Sequence, residues 1–240
     1  MKTIVVKFGG TSLASAEQIK KAAAIVRSDP ARRFVVASAP GKRTSDDIKV
    51  TDLLYRCYEA AAAHEEFEPV LSAVEARFAE IIAGLGVTFD IGGEIAVIRA
   101  HLQGRPQRDY MASRGEYLNS KIIAAYLGFP FVDAAAYVSF DGHGAFASEQ
   151  TNAALSAVLR GMECAVVPGF YGALPDGTIH TFSRGGSDVT GSIVARAVNA
   201  DLYENWTDVS GMLAADPRII ENPHRIEHIT YQELRELSYM

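Results

Sequence analysis

Two short glycine turns carry the residues of this chain that could do chemistry. The first is Ser183-Arg184-Gly185-Gly186-Ser187-Asp188, where the glycines free the backbone and the serine and aspartate are favoured caps for a following helix. Backbone N–H groups at the start of a helix attract phosphate or carboxylate, and Arg184 could bind such a group through two parallel hydrogen bonds. The stretch therefore predicts an anion site, with an ordinary Gly-Gly turn that caps a surface helix as an equally open interpretation.

The second turn is Lys7-Phe8-Gly9-Gly10-Thr11-Ser12, in which a lysine at the end of a β-branched strand precedes two glycines. Glycines let backbone amides approach a polyphosphate, and a lysine ammonium is a point charge that can bridge phosphate groups. A single Gly-Gly pair after a first strand is more often only a tight turn. Here Thr207-Asp208 also follows a predicted strand and Asp216-Pro217-Arg218 lies downstream, so we expect these polar segments to converge.

The hydrophobic periodicity predicts the elements that must position these turns. Strands are predicted at 3–8, 34–38, 131–133, 164–168 and 202–206. Helices are predicted after the capping box at 15–18, within 51–85, at 94–102, after the motif 113–116, at 150–159 and from 187 to about 198. Asp176-Gly177 is a hairpin-turn signal. Strands that alternate with helices and end on Gly, Ser, Thr or Asp predict an open α/β sheet with ligands at the carboxyl ends of its strands.

Composition narrows the class of protein. The 240 residues, 48% of them hydrophobic, can bury a sizeable core. A net charge of −6 argues against a broad nucleic-acid-binding surface, so we expect no nucleic-acid partner. Cys57 and Cys164 lie far apart and in no metal-ligand spacing, which predicts free thiols. The sequence has no signal-peptide pattern and no apolar run of about 18 residues, so we expect a cytoplasmic protein that does not act on membranes.

The sequence lacks the familiar motifs of nucleotide-binding and metal-binding sites. The sequence lacks the pattern G-x-x-x-x-G-K-[ST], and Gly142-His143-Gly144 has no third glycine of a dinucleotide-binding fingerprint. The segment His64-Glu65-Glu66-Phe67-Glu68 lacks the second histidine of a zinc motif. We therefore predict no metal ligands from the protein itself.

Four motifs, in this order along the chain, resemble the aspartate kinase branch of the amino acid kinase family. They are 7–12 (KFGGTS), 113–116 (SRGE), 183–188 (SRGGSD) and the segment from Trp206-Thr207-Asp208-Val209 to Asp216-Pro217-Arg218. The resemblance extends over residues 3–240. It implies a three-layer αβα sandwich around a central, mainly parallel open sheet.

The same resemblance implies an activity. The family branch transfers the γ-phosphoryl group of ATP, with Mg²⁺, to the β-carboxylate of L-aspartate, which gives 4-phospho-L-aspartate at the start of the lysine, threonine and methionine pathway. A carboxylate with a pKa near 4 is already ionised at pH 7, so this reaction needs no general base. Catalysis then reduces to positioning and to neutralising the charge of two anions.

Carried over position by position, the resemblance implies a role for each motif residue. Lys7 would bridge the phosphates, Gly9 and Gly10 would give amide donors, and Asp188 would orient Lys7. Glu116 would pair with the α-ammonium of aspartate. The other residues implied in the aspartate site are Ser38, Thr51, Phe170, Arg184 (to the α-carboxylate) and Ser187, and those implied to hold ATP are Thr207, Asp208 and Arg218.

Several of these residues could instead have a purely structural role. Glu116 and Thr51 could cap helices, Phe170 could belong to the core, and Asp208 could be a turn residue. The sequence also departs from the family at Leu213, where many members have an aromatic residue near the adenine, and Ser183 stands where glycine is common.

The carboxyl end departs from the family as well. The capping box Thr230-Tyr231-Gln232-Glu233 starts a helix that reaches Met240 without a C-cap. In the family the chain continues into a segment with a further nucleotide-site lysine and then into regulatory ACT domains. We therefore expect residues 1–240 to be a catalytic domain shortened at its carboxyl end, without ACT domains.

Two other functions remain open from the sequence. One is another kinase of the same fold, such as an acetylglutamate or uridylate kinase, although Glu116 with Arg184 favours a free amino acid. The other is a nucleotide- or aspartate-binding subunit without turnover. We also expect a homo-oligomer, and the Ala- and Leu-rich helix faces between Thr51 and Leu85 fit a dimer surface and packing on the sheet equally well.

Overall fold

The structure is a computed structural model that describes residues 2–183, 185–207, 211, 213–215, 219–230 and 232–233. The chain divides into two compact units, Met1–Trp206 and Thr207–Met240, and each is described by itself. The strands of the first unit are β1 (Ile4–Phe8), β2 (Arg32–Ala37), β3 (Ala165–Pro168), β4 (Tyr171–Ala173), β5 (Ile179–Thr181) and β6 (Leu202–Trp206). Its helices are α1 (Ala16–Arg27), α2 (Val50–Ala62), α3 (Glu68–Leu85), α4 (Ile91–Gln103), α5 (Arg108–Leu127), α6 (Ser148–Leu159) and α7 (Gly186–Ala197).

A parallel sheet with the strand order β3-β2-β1-β6 forms the middle layer. Because side chains alternate along a strand, β1 divides its residues between two cores. Ile4, Val6 and Phe8 pack in the core on one face, with α1, α3 and α5, whereas Val5 packs in the core on the other face, with α6 and α7. The three-layer α/β fold and the mainly parallel sheet are confirmed.

The apolar stretch predicted as helical between Thr51 and Leu85 forms two helices, α2 and α3. Their apolar faces lie in one core: Leu54 and Cys57 of α2 are fully buried, as is Phe78 of α3. These faces are therefore covered within the chain. The thiols of Cys57 and Cys164 are both free, as predicted.

The structure differs from the sequence-based expectations at three places. The motif 113–116 lies within α5 and not ahead of it, because α5 already begins at Arg108. The segment 131–133 is not a strand: Phe131 makes only an isolated bridge to Val166, and Asp133 caps a short 3-10 turn. Helix α7 is capped by Gly185 in the left-handed region (φ +57°) and not by a serine or aspartate side chain.

The hairpin formed by β4 and β5 leads the chain into α7. Its strands pair antiparallel, and the predicted turn at Asp176-Gly177 is present, with Gly177 at φ +84°. Tyr171 of β4 is fully buried, and its hydroxyl donates to the Asp133 carboxylate at 2.8 Å. No helix in the described part of the chain has the length and apolar character needed to cross a membrane.

Replacing Gly172 with alanine should weaken this hairpin. A Cβ at Gly172 would fall well inside contact distance of the Val138 carbonyl oxygen, a backbone atom that cannot rotate away. We expect Gly172→Ala to lower the free energy of unfolding by about 1–3 kcal/mol. Urea denaturation measures the change, and Gly142→Ala is the matched control because a Cβ there would meet open space. Equal stability of the two variants would contradict the expectation.

Candidate active site

A buried lysine and an aspartate form an ion pair at the carboxyl edge of the sheet. The Lys7 side chain is 8% exposed, and its Nζ lies 2.7 Å from Oδ1 of Asp188, whose side chain is 48% exposed. The side-chain amide of Asn205 donates to the same oxygen at 2.8 Å. Both partners thus hold the carboxylate at Oδ1. The expected contact between Asp188 and Lys7 is present.

Three elements place this group. Lys7 follows Val5 on the face of β1 that α7 covers, and Asn205 lies beside Lys7 in the parallel register of β1 with β6. Asp188 stands in the first turn of α7. The helix approaches β6 closely, because Gly191 leaves room for the Tyr203 ring, whose hydroxyl donates to the Asp188 carbonyl oxygen at 3.3 Å.

The glycine turn after β1 lies against the lysine. A Cβ on Gly9 would lie 3.8 Å from the Lys7 Nζ. The Gly9 N–H donates to the Trp206 carbonyl oxygen at 3.0 Å, so the expectation that Gly9 gives an amide donor to phosphate is not met in this structure. The reason is that this amide extends the pairing of β1 with β6 by one residue. Gly9 supplies space beside the ammonium, and Gly10 remains the candidate amide donor.

A second polar group lies where β2 ends. Glu116 of α5 is buried, and one carboxylate oxygen accepts from the Ala39 N–H, whereas its Oε2 has no partner among the described residues. Thr51, in the first turn of α2, lies against α5, since its Oγ1 would be 3.7 Å from a Cβ on Gly115. Ser38 directly precedes Ala39. The structure thus brings Ser38, Thr51 and Glu116 close together, and their roles in an aspartate site stay predictions.

The interior position of Glu116 disfavours a charge on its carboxyl. Burial raises the pKa of this carboxyl from 4.5 to about 8, because the low dielectric of the interior penalises the ionised form. The hydrogen bond from the Ala39 N–H favours the ionised form but offsets only part of that penalty. A cationic ligand group next to Oε2 would supply the missing counter-charge. This carboxyl is therefore suited to bind an ammonium group.

A third group surrounds the start of α7. Ser187 is 9% exposed and lies against Gly169, where a Cβ would come 2.5 Å from the serine Oγ. Phe170 adopts φ +80°, which is rare for a residue with a side chain, and its N–H donates to Thr190 Oγ1 at 3.1 Å. Close packing of the Phe170 ring on Gly186 accompanies this conformation. Such backbone outliers are concentrated at functional sites.

Some predicted site residues lie outside the described residues. These are Arg184, Asp208 and Arg218. Thr207 is described and opens the second unit. Within that unit Leu213 bridges to Arg225, and the predicted capping box is confirmed, since Thr230 and Glu233 each donate a backbone N–H to the side chain of the other.

Sequence reasoning missed two polar residues at these groups. Asn205 holds Asp188, and Asn119 donates its side-chain amide to the Ser38 carbonyl oxygen at 2.7 Å. Each had a signal: Asn205 pairs in register with Lys7 across neighbouring strands, and Asn119 stands one helical turn after Glu116. An asparagine on a strand or in a helix interior does not by itself indicate a functional residue.

The described residues provide few side chains that could coordinate a metal ion. They contain no group of three or more His, Cys, Asp or Glu side chains placed to hold one. The exposed part of the Asp188 carboxylate beside Lys7 is a hard oxygen ligand of the kind that Mg²⁺ prefers. This donor set fits a Mg²⁺ ion that arrives with most of its ligands from a nucleotide.

The parallel sheet carries the lysine-aspartate pair and the glycine turn at its carboxyl edge, and the chain belongs to the amino acid kinase family, whose model it matches over residues 2–240. It is 40% identical to aspartokinase 3 of Bacillus subtilis (strain 168), over 98% of this chain and 55% of that protein. It is 30% identical to the chloroplastic aspartokinase 2 of Arabidopsis thaliana, over 99% of this chain and 47% of that protein.

Solved structures agree with this assignment. The aspartate kinase of Clostridium acetobutylicum superposes with a TM-score of 0.95 at 48% identity and covers all of this chain. Aspartokinase III of E. coli, solved with aspartate and ADP, superposes with a TM-score of 0.83 at 25% identity over 99% of this chain. The chain spans 55% and 56% of those two proteins, about half of their length.

The buried Glu116 makes stability depend on pH. The folded protein holds a proton on this carboxyl up to about pH 8, whereas the unfolded chain releases it near pH 4.5, so this group lowers the free energy of unfolding as the pH rises between these values. We expect Glu116→Gln to become more stable relative to the wild type at pH 8.5 than at pH 5, by roughly a few kcal/mol. Urea denaturation without ligands at both pH values measures this difference. The same stability difference at pH 5 and at pH 8.5 would contradict it.

Proposed function

We propose that this chain is the catalytic domain of an aspartate kinase, which phosphorylates the β-carboxylate of L-aspartate with ATP. The observation that carries the proposal is the buried Glu116 carboxyl with its unpartnered oxygen, on the same edge of the sheet as Lys7 and Asp188. A site that binds an ammonium group next to a cationic phosphate site fits an amino acid as the acceptor of a phosphoryl group. The similarity to aspartokinases supports aspartate as that amino acid.

Aspartate recognition would use both of its charged α-substituents. Glu116 pairs with the α-ammonium, which supplies a counter-charge for the buried carboxyl. Arg184 pairs with the α-carboxylate in the bidentate geometry that a guanidinium favours. Ser38, Thr51, Phe170 and Ser187 shape the rest of the pocket and leave the β-carboxylate directed towards Lys7.

Phosphoryl transfer would rest on positioning and on charge neutralisation. The β-carboxylate is ionised at neutral pH and attacks the γ-phosphorus directly, while the bond from that phosphorus to the β–γ bridging oxygen breaks and ADP leaves, so no side chain needs to remove a proton. Lys7 lies between the two anions and neutralises the charge that accumulates as they approach. Asp188 and Asn205 keep the ammonium in place, and the exposed carboxylate oxygen of Asp188 can assist a Mg²⁺ ion bound to the phosphates.

Nucleotide binding would involve the glycine turn and residues that follow β6. Gly10 offers the amide, Gly9 leaves room beside Lys7, and Thr207, Asp208 and Arg218 hold ATP in the manner implied by the motifs. The product, 4-phospho-L-aspartate, would enter the pathway to lysine, threonine and methionine. We also propose that the protein works in the cytoplasm as a homo-oligomer.

The function predicts aspartate-dependent turnover. With Mg-ATP and L-aspartate we expect ADP release, and hydroxylamine should trap the acyl phosphate as aspartyl hydroxamate. A coupled ADP assay and the colour of the ferric hydroxamate complex measure the two products. N-acetylglutamate and UMP serve as controls, and turnover with one of them in place of aspartate would show another kinase of this fold.

A folded sample without turnover would contradict the proposed activity for this chain. Isothermal titration calorimetry then separates the remaining possibilities. Binding of ATP or aspartate would support a ligand-binding subunit, and the absence of both would exclude that function as well.

The pKa of Glu116 predicts a pH-dependent KM for aspartate. Below about pH 8 the carboxyl is protonated in the free protein and must lose that proton to pair with the α-ammonium. We therefore expect KM for aspartate to fall by up to about tenfold per pH unit from pH 6 to 7.5 and to level off above 8. Steady-state kinetics at saturating ATP measure it, and KM for ATP is the internal control. A flat KM for aspartate over this range would contradict the role of Glu116.

A further inference from the structure

Arg77 is a buried guanidinium that the proposed reaction does not use. It lies on α3, its side chain is 4% exposed, and it donates to three acceptors. These are the Asp47 carboxylate at 2.5 Å, the Gly41 carbonyl oxygen at 2.8 Å and the Ala14 carbonyl oxygen at 3.1 Å. A buried charge with several fixed partners restrains the segments that carry those partners, because leaving any of them unpaired is costly.

Asp47 supplies the counter-charge for this interaction. The hydrogen bond from Arg43, the backbone N–H of Arg43 and the hydrogen bond from Arg77 together hold the pKa of the Asp47 carboxyl well below its usual range, against the opposing effect of burial. Arg43 also pairs with Glu80 of α3 at 2.6 Å. The loop after β2 is therefore joined to α3 by two arginines.

The two carbonyl groups that Arg77 holds belong to segments that frame the glycine turn beside Lys7. Ala14 ends the 3-10 turn Thr11–Leu13, which Gly10 opens. Gly41 donates its N–H to the Gly10 carbonyl oxygen at 2.8 Å. The two backbones touch, since a Cβ on Gly41 would lie 2.6 Å from the carbonyl carbon of Gly10. A displacement of Gly41 would therefore also move Gly10.

We propose that Arg77 is a positioning residue for phosphoryl transfer, which fixes the Gly9-Gly10 turn beside Lys7 by tying Gly41 and Ala14 to α3. The catalytic part of this inference rests on the proposed function, whereas the ordering of the turn by Arg77 does not. Lysine cannot replace Arg77, because one ammonium group does not reproduce the planar arrangement of donors that spans three acceptors. Helix α3 thus contributes to the site from outside it.

The test compares Arg77→Lys with Arg99→Lys. Arg99 makes an ion pair of similar length, 2.8 Å, with Glu68 at the start of α3, so its variant is a matched control for an arginine on the same helical layer. We expect Arg77→Lys to lower kcat by about 10- to 100-fold, since small misplacements of reacting groups have effects of that size. KM for ATP should rise, and Arg99→Lys should leave both constants unchanged.

Hydrogen exchange gives a readout that does not depend on activity. The amides of Gly41 and Leu13 both donate to the Gly10 carbonyl oxygen, so peptides that cover 9–14 and 38–49 should exchange faster in Arg77→Lys than in the wild type and in Arg99→Lys. Failure of the proposed function would appear as wild-type protein without turnover. Failure of the positioning role would appear as unchanged exchange in these peptides.

Asp47→Asn is the second variant if Arg77→Lys does not fold. It keeps an acceptor oxygen for Arg77 but removes the counter-charge, and we expect a smaller loss of kcat with faster exchange in the same two peptides. Variants that lose thermal stability yet keep wild-type kcat, KM and exchange at 9–14 would overturn the proposal, because Arg77 would then serve stability alone.

Discussion

The ion pair between Lys7 and Asp188 is the interaction on which the arrangement of the first unit depends. An ammonium group that is almost fully buried requires a counter-charge, and α7 must bring Asp188 to the end of β1 to supply it. Several unusual local features accompany this position of α7. The helix starts on a left-handed glycine, Phe170 takes a conformation that its side chain disfavours, and Gly191 lets the helix approach Tyr203.

The two buried ionisable groups, Lys7 and Glu116, differ in whether the chain supplies a partner of opposite charge. The Lys7 ammonium has its counter-charge within the chain, in the Asp188 carboxylate. Glu116 is left with one oxygen unpartnered, so its charge depends on a ligand. A protein selected only for stability would have no use for the second arrangement, because a desolvated carboxyl without a partner lowers the stability of the folded state. The two groups thus differ in the source of the counter-charge: Lys7 has it within the chain, and we propose that Glu116 receives it from a ligand.

Sequence reasoning recovered the parts of the fold that local patterns determine. The β-branched run of β1, the Ser15 cap of α1 and the Asp-Gly hairpin turn are set by neighbouring residues, and all are present. It failed where distant contacts decide. The motif at 113–116 lies inside α5, which already begins at Arg108, and the Gly9 amide bonds to β6 because of strand register. Arg77, Asn119 and Asn205 act through partners far away in sequence, and a single sequence does not display such contacts.

The unusual pKa of Glu116 also bears on how this protein should be handled for crystallography. Without a ligand the Glu116 carboxyl keeps its proton below about pH 8. Acidic precipitants and acetate storage buffers therefore keep a proton on the group that would otherwise attract a cationic ligand. Crystals intended for soaking with an amino acid should be grown or transferred above that pH. An empty pocket in a crystal from acid conditions would report the protonation of one carboxyl and not the specificity of the site.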